Sequence, residues 1–139
     1  MRRLFPALVL FLCGCAAHPI HPGTANAFDS GAYDTLSVTD SVIQSTKADL
    51  AAGKFPPSIA GNVKSALNAL INAYNIADTF YCGMPVAGTG TGSLECAPNS
   101  YHSLAIAGTA TPAQSTQMQN ELNQINTATA QLSAAKGGQ

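Results

Sequence analysis

The chain has 139 residues, enough for one domain with a real core, and only 9% of them are charged, where a globular protein carries about 25%. Six basic residues stand against seven acidic ones, a formal net charge of −1, and the basic ones are scattered. This argues against nucleic-acid binding, which needs clustered Lys and Arg to neutralise phosphates, and against a polybasic membrane-binding face.

Residues 1–15, MRRLFPALVLFLCGC, open on Arg2 and Arg3 and continue as an apolar run from Leu4 to Leu12, broken only by Pro6. Spanning a bilayer takes about 20 apolar residues, so the run is too short for a membrane helix. A basic head, a short apolar stretch and small residues at its end have the layout of a secretory signal peptide. Leu12-Cys13-Gly14-Cys15 resembles the lipobox of bacterial lipoproteins, an aliphatic residue and two small ones before a cysteine. Cys13 stands where Ala, Ser or Thr is commoner. The resemblance covers the leader alone. It implies removal of residues 1–14, a diacylglyceryl group on the Cys15 thiol and acylation, by palmitate for example, of the new N-terminus. Two acyl chains hold a protein stably on a membrane, at about 0.8 kcal/mol per buried methylene. The mature chain is therefore expected to be lipid-anchored in the cell envelope without spanning it. Ala16 after the cysteine, rather than Asp, implies the periplasmic face of the outer membrane where a cell has two membranes.

Loss of the leader removes both arginines and leaves four lysines against seven acids, a net charge near −3. It also leaves Cys82 and Cys96 as the free pair. An exported chain meets an oxidising compartment, where such a pair bridges. Thirteen residues lie between them, and closing a loop of that size contributes about 3 kcal/mol. A redox pair usually takes C-x-x-C spacing, and zinc needs more ligands than this pair and the scattered histidines supply.

Residues 15–27, rich in Pro19, Pro22 and Gly23, read as a flexible tether, and residues 28–139 as a helical domain. A first helix is expected over about 29–52. Asn26 and Asp29 can each cap its start, Leu36, Ile43 and Leu50 recur every seven residues, and Gly53 stops it. Phe55-Pro56-Pro57 makes a rigid turn. A second helix is expected over about 57–81, with proline in its first turn. Ile59, Val63, Ala66, Leu70, Ala73, Ala77 and Phe80 keep a 4-3 spacing without a slip. Leu67, Ile71, Tyr74 and Tyr81 widen the apolar arc enough to touch two neighbours. Residues 82–111 read as an irregular loop, because Gly83, Pro85, Gly88, Gly90 and Gly92 forbid a long helix. A third helix is expected over about 112–135, opened by a capping box at Thr111 and Gln114. Its apolar stripe, Met118, Leu122, Ile125, Thr129 and Leu132, is narrow. The expected fold is all-α: an antiparallel three-helix bundle, up-down-up, with the disulfide-closed loop between its second and third helices.

Chemistry is sparse along this chain. His18-x-x-His21 is half of a metal site on a proline-bound tether with no fixed geometry, so no metal is expected. His102, beside Tyr101 and Ser103, would need an orienting acid and a nucleophile; convergence of Asp78, Cys82 and His102 would be the sign of an enzyme. Gly88 to Ser93 has no lysine and follows a helix, unlike a phosphate loop. Asp78 is placed oddly, because a helix C-terminus opposes an anion. Tyr74, Phe80 and Tyr81 cluster near the bridge, as core or as the lining of a partner or ligand site.

The reading is therefore a membrane-anchored, non-catalytic envelope lipoprotein that serves as a structural or protein-interaction module. It carries no cofactor or catalytic residues and meets an envelope protein or a second copy of itself. The alternative is a helical module that binds a small apolar ligand.

Overall fold

The computed structural model describes residues 23–83, 96 and 98–137. Every regular element among them is helical: α1 (Ala27–Ala51), α2 (Pro57–Cys82), α3 (Tyr101–Ile106) and α4 (Pro112–Lys136). None of these helices is long and apolar enough to cross a membrane.

α1 starts at Ala27, two residues before the expected 29, because of the two caps the sequence offers it is Asn26 that is used: its side-chain oxygen accepts from the Asp29 N–H at 3.0 Å. The helix ends in a Schellman turn. Gly53 takes φ +66°, and its N–H bonds the Leu50 carbonyl while the Lys54 N–H reaches back to Asp49. Only a residue without Cβ adopts that left-handed conformation cheaply. Lys54 and Asp49 reinforce the turn with a 2.7 Å ion pair, and Phe55 packs on the core beyond it.

α2 is the hub and packs against α1, α3 and α4. Val63, Leu70, Ala73 and Ala77 form one buried stripe, and Leu67, Tyr74 and Tyr81 form a second. The alanines, with Ala128 opposite on α4, let the two helix backbones approach closely. α4 contributes the narrow stripe expected of it, Met118, Leu122, Ile125 and Leu132, all buried. Its capping box forms in both directions, Thr111 N–H to Gln114 Oε1 at 2.8 Å and Gln114 N–H to Thr111 Oγ1 at 3.2 Å.

On α1 two threonines sit in the core beside Leu36 and Ile43. Each donates its hydroxyl to the carbonyl four residues back, Thr39 to Thr35 and Thr46 to Val42, both at 2.7 Å. That satisfies the hydroxyl without a partner helix. Thr46 also accepts from the Lys136 ammonium at 2.7 Å, tying the last turn of α4 to α1.

The loop expected over 82–111 is not irregular throughout. Ser100 caps a short helix, α3, by accepting from the Ser103 N–H, and Gly108 at φ +70° closes it with a second Schellman turn. Six residues are too few for a periodic signal, so the apolar pair Tyr101 and Ala105, both buried, is legible only once the fold is known.

Candidate functional site

The most elaborate cluster of side chains lies where α1 begins, α2 ends and α3 crosses them. Asp29 is its centre. At the third position of α1 it benefits from the positive end of the helix dipole. It is wholly buried, and its Oδ2 accepts from the Ala25 N–H at 2.9 Å. The Tyr81 hydroxyl donates to Asp29 Oδ1 at 2.9 Å, and His102 Nδ1 lies 2.9 Å from the same oxygen. The Tyr81 hydroxyl and His102 Nδ1 are also 2.9 Å apart. An ionised carboxylate only accepts, so opposite an ionised Asp29 the donor tautomer of His102 is the one with hydrogen on Nδ1. A bare Nδ1 would set its lone pair against the carboxylate. Two donors from helices far apart in sequence thus share one buried anion.

Aromatic rings pack around this triangle. Tyr101 stacks on Phe80 with centroids 5.9 Å apart and meets the edge of Phe28 at 6.2 Å. Tyr81 lies against His102 at 5.0 Å. Burial pushes the Tyr81 phenol far above its ordinary range, and the hydrogen bond and charge of Asp29 push it further, so Tyr81 stays a donor at every physiological pH. Burial also raises Tyr101, against the opposing effect of its hydrogen bond with Ser115. Immediately after Tyr81, Cys82 is bridged to Cys96, which closes the connection into α3 at its near end.

No protein-family model matches this chain, and neither a curated protein nor a solved structure proved similar to it.

An Asp–His pair is the orienting half of a general base. Here the pair is completed by Tyr81, a locked phenol, rather than by an activated nucleophile. Cys82 is bridged to Cys96, and the side chains that His102 Nδ1 meets are Asp29 and Tyr81. The arrangement can hold three chain segments together and exclude water from Asp29.

Of the aromatic residues singled out in the sequence, Tyr74 and Tyr81 lie in the core, and Phe80 is half-buried against Tyr101. Asp29, read from the sequence as a cap, is instead the hub. The signal was the pair of Tyr-led dipeptides, Tyr81-Cys82 and Tyr101-His102, that flank the cysteine loop, but nothing local pointed to the acid they share.

Asp78 carries the opposite lesson. Only 3% exposed, its Oδ2 is buried and has no hydrogen-bond partner among the described residues. Burial, and secondarily the charge of Asp40, raise its pKa from 3.8 to about 6. Cys15, His18, His21 and the run Gly88 to Ser93 lie outside the described residues. Among those described, no group of three His, Cys, Asp or Glu side chains is placed to hold a metal ion.

A second feature lies on the flank. α1 and α4 touch only sparingly, and a groove of about 300 Å³ runs between them. Val38, Val42, Ile125 and Thr129 line it, with Asp34 and Asn126 at its edges. Val38 is 63% exposed, the most exposed large apolar side chain described.

Proposed function

We propose that the chain is a bacterial envelope lipoprotein, anchored through acylated Cys15, whose mature domain is a non-catalytic protein-interaction module. In this reading the three long helices run up-down-up. Two contacts support that: Asp29 at the start of α1 meets Tyr81 at the end of α2, and Lys136 at the end of α4 meets Thr46 in the second half of α1.

The observation that carries the reading is the α1–α4 groove. On the α4 side its apolar floor is bordered by Asn126 and Thr129, polar but uncharged, and Asp34 of α1 is the one charged residue that lines it. Such a border lowers the desolvation cost of docking another protein surface, since interface cores are depleted of charge. The end of the domain beside this flank, bridged and locked around Asp29, supplies a rigid base.

A photo-reactive amino acid at Val38, irradiated in intact envelopes, tests this. A discrete covalent adduct with an envelope protein or with a second copy of the chain is expected, and the same probe at exposed Gln44 should give none. Monomer alone at Val38 under all conditions retires the interaction reading. Mass spectrometry of the purified chain tests the anchor separately: the expected N-terminus is acylated Cys15, and an unacylated chain retaining Met1 would remove it.

A further inference from the structure

At the far end from the Asp29 cluster, the last turns of α1 and the first turns of α2 diverge around a second groove of about 570 Å³. Small-molecule sites occupy roughly 300–1,000 Å³, so this space is of ligand size. Leu50, Leu67 and Ile71 supply its apolar floor, and Lys47 and Lys64 stand on its two walls, one on each helix. No carboxylate lines it. Neither lysine has an ion-pair partner among the described residues, whereas Asp49, the acid nearest in sequence to Lys47, is already held by Lys54. Leu50 and Ile71 are only half-buried, packed on the core on one side and open to the groove on the other.

Gly61 contributes the remaining space. It lies inside α2, where glycine costs about 0.5–1 kcal/mol relative to alanine. Its φ is not in the left-handed region, and a Cβ built on it meets nothing within 4 Å. Neither backbone conformation nor a neighbouring atom requires a glycine there, and its missing side chain widens the groove.

We propose that this groove binds the carboxylate and acyl chain of a free long-chain fatty acid. The apolar floor takes one alkyl chain lying along the cleft between the helices, and the two ammonium groups pair with the carboxylate at its mouth. Two uncompensated cations beside an apolar trough of this size complement a single-tailed anionic amphiphile. A neutral or cationic one would leave them unpaired or repelled. The inference stands apart from the partner-docking reading, because it uses a different face of α1 and none of the α1–α4 groove.

The test uses the full chain and a diazirine-bearing dodecanoate, cross-linked by light and mapped by mass spectrometry. Because the readout is the position of the adduct, dissolution of the probe in lipid or detergent does not confound it. Adducts are expected at Leu50, Leu67 and Ile71. The corresponding diazirine dodecanol should label them about tenfold less, the worth of two exposed ion pairs. In the K47Q/K64Q variant the acid and alcohol probes should label equally. Shortening the acid by two half-buried methylenes should weaken labelling about fourfold. Gly61→Leu fills the trough and should abolish labelling while the thermal melt stays at or above that of the parent, which separates loss of the site from loss of the fold. Equal labelling by acid and alcohol in the parent chain, or undiminished labelling in Gly61→Leu, overturns the proposal. So does labelling of this groove by a diacyl phosphatidylglycerol probe in vesicles with none from dodecanoate, which would make the surface a membrane contact instead.

Discussion

Where α1 begins and α2 ends, polar groups from positions 29, 81 and 102 meet within 2.9 Å of one another. Where α1 turns into α2, the turn is made of bonds that join residues five or fewer apart, Gly53 to Leu50, Lys54 to Asp49, and the Lys54–Asp49 ion pair. The first end spends its polar groups on one another and buries them. The second leaves two lysines unpaired beside an open apolar trough. Cross-links between distant segments stop several helices from separating, whereas local turn chemistry stops only one helix from unwinding. Three distant segments are cross-linked at the Asp29 end, whereas near the hairpin end the one long-range side-chain bond among the described residues is Lys136 to Thr46, which leaves more of that end free to be a surface.

The sharpest way to break this contrast is Asp29→Ala. It leaves the Tyr81 hydroxyl and His102 Nδ1 without their shared acceptor in a water-poor site, and removing one partner of a buried polar network costs about 3–5 kcal/mol. Urea denaturation should show that loss, together with early exposure of Tyr81 in near-ultraviolet spectra. Lys54→Ala at the opposite end should cost under about 1 kcal/mol, the value of an exposed pair. Similar losses for the two would erase the distinction.

Opening the bridge comes next. The C82S/C96S double variant should lose about 3 kcal/mol, because the two residues enclose a short loop with a separation of 14 in sequence. The loss should appear in the same denaturation experiment as a shifted midpoint.

Asp78 provides a test with a pH signature. Its pKa is raised from 3.8 to about 6 in the folded state, so the folded chain holds this proton more tightly than the unfolded one. Above pH 6 the carboxylate is ionised in both states, and its burial destabilises the fold. As pH falls from about 6 towards 4 the folded state takes up the proton and the penalty disappears. Asp78→Asn should accordingly be more stable than the parent by about 1–2 kcal/mol at pH 7. The gap between the two chains should close by pH 4. A gap that widens on acidification would mean that Asp78 is stabilising as an anion.

The smallest effect expected is a gain. Gly61→Ala should raise stability by about 0.5–1 kcal/mol through helix propensity alone, since its Cβ meets no neighbour. A loss would show that the hairpin end is more tightly packed than this comparison holds.

Legibility along the chain followed the range of the interactions involved. The 4-3 spacing of α2 and α4, the Thr111–Gln114 box, the stop at Gly53 and the pairing of Cys82 with Cys96 depend on residue type and short spacing, and each could be read from the string. α3 could not, because six residues hold too few apolar positions to show a period among the glycines and prolines around them. The triangle around Asp29 could not either. An acid at position 29 before an apolar run has the pattern of a helix cap, and it acquires its buried role only because the end of α2 and α3 arrive beside it.

By itself the sequence determined the helical class, the long helices within a residue or two of their ends, the cysteine pairing and the leader's resemblance to a lipobox, because each depends on backbone preference or on neighbours a few residues away. The tertiary structure alone decided that Asp29 is the hub and Asp78 the buried carboxyl with an unsatisfied oxygen, and that Lys47 and Lys64 line one apolar trough. Those outcomes depend on which faces of separate helices meet, and that is set by the packing of the whole core, not by any one segment of it.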